Sequence, residues 1–302
     1  MTRTKLTKTR SKLTKNRSKL TKTILKLTKT RTKLNKTNSI MNKSNKNSIS
    51  NLSNLSILSY NISWESMSGL KPNWKLCNNN TDKSNPRHSS VCVNNISDVF
   101  ENENIKLDFV TLQEATDFKK LVTQSPKLQN MNYSFHNSGL DMVVTLWNKQ
   151  YKLKTKINGE FEKGRPWLAT VFTNGICLIN VHMGHYDKEE EMKLLYKMIL
   201  DIKVKLKENK ILKTHNHNSI YRYIISGDFN YDIKEFGNSR NYFTLDDTKF
   251  YYNKKHLLTC CINRRKHNDH VIDSLEPPLD IIIPKVNYMA SDHKPILVIV
   301  KE

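Results

Sequence analysis

Three things are scarce in this chain: paired cysteines, long apolar runs and, near its start, acidic residues. The five cysteines form no C-x-x-C pair, and their spacing suits neither a disulfide framework nor a four-cysteine zinc site. We therefore expect reduced thiols and an intracellular protein. No stretch approaches the roughly 18 apolar residues that a helix needs to cross a bilayer, so no transmembrane segment is expected.

Acidic residues are missing from the start of the chain, where basic residues are frequent. Residues 1–50 hold 16 of the 50 Lys and Arg, and the first acidic residue is Glu65. The remaining residues carry 34 basic and 28 acidic side chains, although the formal net charge of the whole chain is +22. The sequence thus predicts a strongly basic N-terminal arm ahead of a mildly basic globular body.

The arm contains five imperfect heptads over residues 5–39, beginning with KLTKTRS and ending with KLNKTNS. Only one leucine recurs in each heptad, whereas a coiled coil needs two apolar positions. This composition predicts a disordered arm over residues 1–50 that attracts phosphate polyanions without sequence preference. A mitochondrial-type transit peptide, a nuclear-import patch and compositional drift in an A+T-rich coding sequence are open alternatives.

From residue 55 onward the composition changes to short apolar runs that end in polar residues, as buried strands do. One helix is predicted to begin after Asp187, a suitable N-cap, and to continue to Leu206 with apolar residues at helical spacing. Strands outnumber helices and alternate with them irregularly, so we expect a layered α/β body rather than a simple doubly wound sheet. The predicted strands are 55–62, 107–112, 142–147, 168–172, 176–181, 223–226, 279–283 and 296–300.

Polar residues that can carry chemistry close several of these apolar runs. Asn61 ends the first run, Glu114 follows Thr111-Leu112-Gln113, and His182 ends Asn180-Val181-His182. Each has an ordinary explanation by itself: a turn-forming Asn, a surface Glu just past a strand, or a structural His.

Two further motifs are more specific. Gly227-Asp228-Phe229-Asn230 puts a carboxylate and an amide two residues apart, which suits a site that orients a water and holds a phosphoryl oxygen. Ser291-Asp292-His293 precedes the last apolar run, where adjacent side chains on an extended backbone point to opposite sides. A solvated loop is the ordinary alternative for this Asp-His pair.

The order Asn, Glu, His, Asp-x-Asn and Asp-His resembles that of the endonuclease/exonuclease/phosphatase superfamily, over residues 55–302. The resemblance implies an α/β fold with four αββα layers, in which two packed, mainly antiparallel or mixed β-sheets are flanked by helices. It also implies an active site at one edge of the sheets. Mg²⁺ is the implied cofactor, and Mn²⁺ is a possible substitute.

The resemblance also implies roles for single residues. Asn61, Glu114 and Asp292 are expected at the metal, and Arg165 of Gly164-Arg165-Pro166 is expected at a substrate phosphate. The implied catalytic residues are His182, Asp228, Asn230, Asp280 and His293. In this reading Asp280 holds His293, and either Asp228 or His293 is the general base.

Exclusion among the branches of the superfamily favours a nuclease. His182 stands where the abasic-repair branch carries a Tyr-centred motif. Asp232 replaces the Arg of the 5-phosphatase G-D-x-N-Y-R motif, whose Trp-containing segment is also absent. Sphingomyelinases often carry a membrane segment or a secretion signal, and neither is seen in this sequence, which disfavours that branch. We expect a monomer that cleaves DNA or RNA.

Two alternatives are a phosphatase or phospholipase of the same superfamily and a catalytically silent nucleic-acid-binding protein. Cys260-Cys261 followed by His267 and His270 suggests zinc, but the spacing fits no familiar zinc site.

Overall fold

The computed structural model describes residues 54–63, 88–102, 105–139, 141–209, 221–237, 240–255, 257–261, 266–284 and 291–301. The predicted basic arm of residues 1–50 lies outside these ranges. Asn54–Lys301 form one structural unit. No helix in the described ranges is both long and apolar enough to cross a membrane.

The described residues form thirteen strands in two mixed sheets. Sheet A has the order β12-β13-β1-β2-β4-β3, and sheet B has the order β5-β6-β7-β8-β11-β10-β9. The strands are β1 (Leu55–Asn61), β2 (Phe109–Gln113), β3 (Met131–Asn137), β4 (Met142–Asn148), β5 (Leu153–Phe161), β6 (Arg165–Phe172), β7 (Ile176–His182), β8 (Arg222–Asp228), β9 (Tyr242–Leu245), β10 (Thr248–Tyr252), β11 (Asp269–Asp273), β12 (Asp280–Ile282) and β13 (Ile296–Val300).

Four helices lie among the described residues, with two short 3₁₀ turns over Glu162–Gly164 and Ile233–Glu235. The longest begins as predicted: the Asp187 side chain accepts a hydrogen bond from the Glu190 N–H at 3.0 Å, and three glutamates occupy the first turn. The helices are α1 (His88–Glu101), α2 (Phe118–Gln124), α3 (Pro126–Gln129) and α4 (Lys188–Glu208).

Three apolar clusters separate four layers. In the middle cluster the two sheets meet face to face, with Ile57 and Phe109 of sheet A in the same core as Leu178 and Ile224 of sheet B. A second cluster joins the outer face of sheet A to α1, α2 and α3, and a third joins the outer face of sheet B to α4. The predicted αββα sandwich is therefore confirmed.

All eight predicted strands are present, within a few residues at each end. The five strands that the sequence did not reveal are β3, β5, β9, β10 and β11. Three of these, β3, β5 and β9, lie at sheet edges, where polar side chains face solvent and the apolar signal is weak. β11 is fully buried but has the sequence Asp-His-Val-Ile-Asp, which does not form an apolar run.

The directions of the strands place the residues of the candidate site at one edge of the sandwich. β1 is parallel to β2, and β7 is parallel to β8, so each pair delivers its carboxyl ends to the same edge. β4, β6, β11 and β13 run antiparallel to these strands, so they begin at that edge. Residues that follow one set of strands therefore meet residues that precede the other.

Candidate active site

Asp228 lies at the centre of the polar cluster at this edge. Its side chain is almost fully buried at the end of β8. The Asn61 Nδ2, at the end of β1, donates to Asp228 Oδ2 at 2.9 Å and to Glu114 Oε1 at 3.1 Å. One amide from sheet A thus connects a carboxylate of sheet A to a carboxylate of sheet B.

Glu114 is the more accessible of the two carboxylates. It follows β2 in a left-handed backbone conformation, with φ of 54°, which is uncommon for a residue other than glycine. The side chain of Glu114 is 21% exposed to solvent, whereas that of Asp228 is 1% exposed. A ligand that enters the site can therefore reach Glu114 without displacing the core.

An aspartate that the sequence did not reveal orients His182. Asp141 precedes β4, and its Oδ2 lies 2.7 Å from His182 Nδ1 and accepts from Arg165 Nη1 at 3.1 Å. The other ring nitrogen, Nε2, lies 3.6 Å from Asp228 Oδ2 and 3.7 Å from Glu114 Oε1. Burial would lower the pKa of His182, but the hydrogen bond and charge of Asp141, with help from Asp228 and Glu114, raise it.

A second Asp–His pair lies on the other side of Asp228. Asp269, the first residue of β11, places Oδ2 3.0 Å from His293 Nδ1. The His293 Nε2 lies 3.5 Å from Asp228 Oδ2. Burial would lower the pKa of His293, but the charges of Asp269 and Asp228 raise it well above its usual range. Asp228 is thus flanked by two imidazoles, each oriented by its own carboxylate.

The predicted role of Asp280 is wrong. β12 runs antiparallel to β13 and pairs Asp280 with Ile299, near the end of β13, whereas His293 precedes that strand. Asp280 therefore lies at the opposite edge of sheet A, where its exposed carboxylate is 3.5 Å from Lys255 Nζ. Asp269 holds His293 instead.

The Asp228–Asn230 segment turns rather than remaining extended. Asn230 has φ of 54°, its N–H donates to Asp228 Oδ1 at 2.8 Å, and its side-chain amide donates to the Met183 carbonyl at 2.7 Å. Gly227 permits a close approach between strands, because a Cβ at this position would lie 2.0 Å from the Val181 carbonyl oxygen. The turn keeps Asn230 beside Asp228.

Asp292 lies beside His293, half-buried, and its carbonyl accepts from the Cys261 N–H at 2.8 Å. Its charge contributes to the raised pKa of His293. Its place at a metal stays a prediction.

The expectation of reduced thiols is wrong for most of the described cysteines. Cys260 and Cys261 are joined by a disulfide, and Cys92 is also disulfide-bonded, whereas Cys177 is a buried free thiol. The Cys260 Sγ lies 3.4 Å from His293 Nε2, so its sulfur contacts the polar cluster around Asp228.

Comparison with known proteins adds one sequence relative. The uncharacterized protein L684 of Acanthamoeba polyphaga mimivirus is 31% identical over 255 residues. The match covers 80% of this chain and 49% of L684, so the chain spans about half the length of that relative. No family model matches the chain.

Solved structures share the fold at low sequence identity. A humanized D. rerio TDP2 superposes with a TM-score of 0.53 at 15% identity, covering 83% of this chain and 100% of that one. ANGEL2, a 2',3'-cyclic phosphatase bound to adenosine-2',3'-vanadate, gives 0.52 at 14% identity, covering 82% and 95%. An endonuclease/exonuclease/phosphatase family protein from Bacteroides thetaiotaomicron gives 0.50 at 15% identity, covering 82% and 96%.

The chain has the fold of the endonuclease/exonuclease/phosphatase superfamily. The superfamily resemblance raised by the motif order is thereby confirmed at the level of fold. Asp141 and Asp269 were not revealed by the motif order. Asp141 directly precedes β4, and Asp269 is the first residue of β11; both strands begin at this edge of the sandwich. A search of the residues before predicted strands would have found Asp141, but not Asp269, because β11 was not predicted.

Glu114, Asn61 and Asp228 fit the divalent cation that the superfamily resemblance implies. Glu114 offers a partly exposed carboxylate, and the Asn61 amide already bridges it to Asp228. Carboxylate and amide oxygens are the ligands that Mg²⁺ prefers, and a small ion is held by one or two carboxylates with water and substrate phosphate. Rotation of the Asn61 amide would turn its oxygen toward the same position.

Proposed function

We propose that the chain is a divalent-metal-dependent phosphodiester hydrolase and that its substrate is nucleic acid. The observation that carries the proposal is the position of Asp228. This buried carboxylate lies near His182 and His293, each of which is oriented by an aspartate. The Asn61 amide donates both to Asp228 and to Glu114. The elements of a water-activating, phosphate-binding site thus lie at one edge of the sandwich.

Glu114, with Asn61 and Asp292, would hold the cation. A bound Mg²⁺ supplies positive charge to a nonbridging phosphoryl oxygen and to the leaving oxygen. Asp228 orients the attacking water, whose oxygen bonds to phosphorus while the ester P–O bond on the opposite side breaks. The products are a phosphomonoester and an alcohol.

The donors around Asp228 stabilise the charge that develops on phosphorus. The Nε2 atoms of His182 and His293 face the site from opposite sides, and the Arg165 guanidinium lies beside His182. Asn230 is held at the turn after Asp228 by the Met183 carbonyl. Preorganised donors of this kind stabilise the transition state without reorganisation during the reaction.

Nucleic acid is the substrate class that the charge of the chain favours. Even without residues 1–50, basic side chains outnumber acidic ones, and the site contains Arg165 with two histidines of raised pKa. A polyanionic backbone would be attracted to such a protein, with an affinity that falls as salt rises.

The test is a substrate panel assayed with the full chain in Mg²⁺. Supercoiled DNA, abasic duplex, poly(A) RNA, an inositol phosphate and sphingomyelin would each be incubated with the protein and with Asp228→Asn. We expect cleavage of DNA or RNA that EDTA abolishes and added Mg²⁺ or Mn²⁺ restores. Turnover of only the inositol phosphate or sphingomyelin would reject the nuclease assignment, and no turnover of any substrate would reject the hydrolase.

A further inference from the structure

A second cluster of ionisable side chains lies outside the catalytic cluster and plays no part in the proposed reaction. It consists of Asp232, in the turn after β8, His267, just before β11, and His270, within β11. Each of the three offers a ligand atom, and these atoms all lie within 4.8 Å of one another. Three separate points of the chain thus meet at one place.

The two histidines are packed together in the interior. Their ring centroids are 4.3 Å apart, and both side chains are almost fully buried. His267 Nδ1 lies 3.5 Å from Asp232 Oδ1. Two buried imidazoles and one carboxylate in contact are typical of a site that binds a cation of borderline softness.

His270 has a hydrogen-bonding arrangement that is common among metal-binding histidines. Its Nε2 lies 3.0 Å from the Tyr231 carbonyl oxygen and 2.9 Å from the His267 carbonyl oxygen. The Ile233 N–H also points at Nε2, but from 3.5 Å. Because a carbonyl only accepts and the two carbonyl oxygens lie closer, Nε2 carries the hydrogen and Nδ1 keeps a lone pair for a metal.

Asp232 supplies the negative charge and the opening to solvent. Burial would raise its pKa, but hydrogen bonds from His267 and from the Lys234 N–H lower it to about 2. Its side chain retains 26% of its exposure. A water molecule can therefore reach the cluster and complete a four-coordinate ion.

We propose that Asp232, His267 and His270 form a transition-metal site that binds Zn²⁺ in preference to Mg²⁺. Two imidazoles and one carboxylate, with water, make a common tetrahedral zinc set, whereas Mg²⁺ prefers all-oxygen ligands. The ion would join the turn after β8, which follows Asp228 and carries Asn230, to the start of β11, which carries Asp269. Its role is to hold these two active-site segments together.

The proposal is tested by metal content and by titration of the full chain. The protein would be stripped with chelator, dialysed against excess Mg²⁺ and titrated with Zn²⁺, with Co²⁺ as a spectroscopic probe. We expect one equivalent of Zn²⁺ to bind in the presence of Mg²⁺, tetrahedral Co²⁺ absorption in the visible range, and a higher Tm that chelator reverses.

Variants separate this site from the catalytic cluster, which also contains histidines and carboxylates. Asp232→Asn and His270→Gln should each lose the Zn²⁺ equivalent and the chelator-sensitive Tm. Asp269→Asn should retain both, as should His136→Ala, a change on the edge strand β3 of sheet A. Asp232→Asn alters a half-exposed residue, so it reports on binding even if His270→Gln fails to fold. No zinc binding by the wild-type chain would overturn the proposal, as would zinc that Asp232→Asn retains or Asp269→Asn loses.

Discussion

The proposed catalytic cluster, which surrounds Asp228, and the proposed zinc cluster each contain one of two adjacent residues of a single strand. Asp269 and His270 are the first two residues of β11. Because successive side chains of a strand point to opposite faces, Asp269 reaches His293 while His270 reaches the turn after β8. A single strand thus contributes to two sites of different chemistry.

The two clusters differ in the atoms they offer. The catalytic cluster presents carboxylate and amide oxygens at a partly open position, and each of its histidines is held by an aspartate that raises the histidine pKa. In the other cluster carbonyl oxygens accept from His270, and burial lowers its pKa. Partners of a histidine therefore decide whether it acts as a cationic phosphate ligand or as a neutral metal ligand.

The largest effect is expected from Asp228→Asn, which should abolish one function and spare the other. Asn keeps the size of the side chain but replaces one carboxylate oxygen with an NH₂ group and removes the negative charge, so the attacking water is no longer oriented. We expect kcat to fall by roughly 10²- to 10⁴-fold, the range typical of a lost acid–base group. Zinc content should remain at one equivalent.

Asp228→Asn has a clear contrary outcome. Activity within a few-fold of wild type would show that Asp228 is structural, and it would remove the observation on which the proposed function rests. Circular dichroism of the variant, compared with wild type, checks that the fold is intact.

The second-largest effect on activity is expected from the two aspartates that orient His293 and His182. Asp269→Asn and Asp141→Asn should each reduce kcat/KM by about 10- to 100-fold, as the loss of a partner that orients a ligand does. Asp269→Asn should also shift the pH profile, because the Asp269 charge is a principal cause of the raised pKa of His293. An unchanged profile in Asp269→Asn would show that His293 does not titrate in the reaction.

The sequence predicted the members of the catalytic cluster better than their partnerships. Asn61, Glu114, His182, Asp228 and His293 were recognised because each closes or precedes an apolar run, and the fold brings them together. Strand ends are visible in the sequence since burial of both faces gives continuous apolar runs.

Pairing between strands is what the sequence does not show. Asp269 and Asp280 both precede the last strand in the sequence, and nothing in the sequence alone says which of them meets His293. The register of β11 places Asp269 opposite Asp228, whereas the register of β12 places Asp280 opposite Ile299 at the far edge. The zinc cluster was missed for a related reason, because Asp232 joins His267 and His270 only after β8 and β11 pair.

A smaller effect, on stability rather than activity, is expected at Glu191 in α4. This carboxyl is fully buried, and burial, with a contribution from the Asp228 charge, raises its pKa from 4.5 to about 9. The folded state therefore keeps a proton that the unfolded state releases above pH 4.5. The free energy of unfolding should fall as pH rises through this window, by up to about 1.4 kcal/mol per pH unit.

Glu191→Gln removes this dependence, because the amide is neutral at every pH. We expect the variant to match wild type near pH 4 and to be more stable than wild type by about 1 kcal/mol or more at pH 8, measured by urea unfolding. Glu189→Gln, an exposed glutamate of the same helical turn, is the matched control and should leave the profile unchanged. Equal slopes for wild type and Glu191→Gln would mean that Glu191 is ionised in the folded protein.

The smallest effect is expected from Asp280→Asn, which sharpens the distinction between the two aspartates. Asp280 is exposed, forms an ion pair with the exposed Lys255, and lies at the edge of sheet A away from Asp228. Surface ion pairs of this kind contribute about 0–1 kcal/mol, so stability should change little. The kcat/KM of Asp280→Asn should stay within about two-fold of wild type. A loss as large as that of Asp269→Asn would show that Asp280 also acts on the site, against its position in the fold.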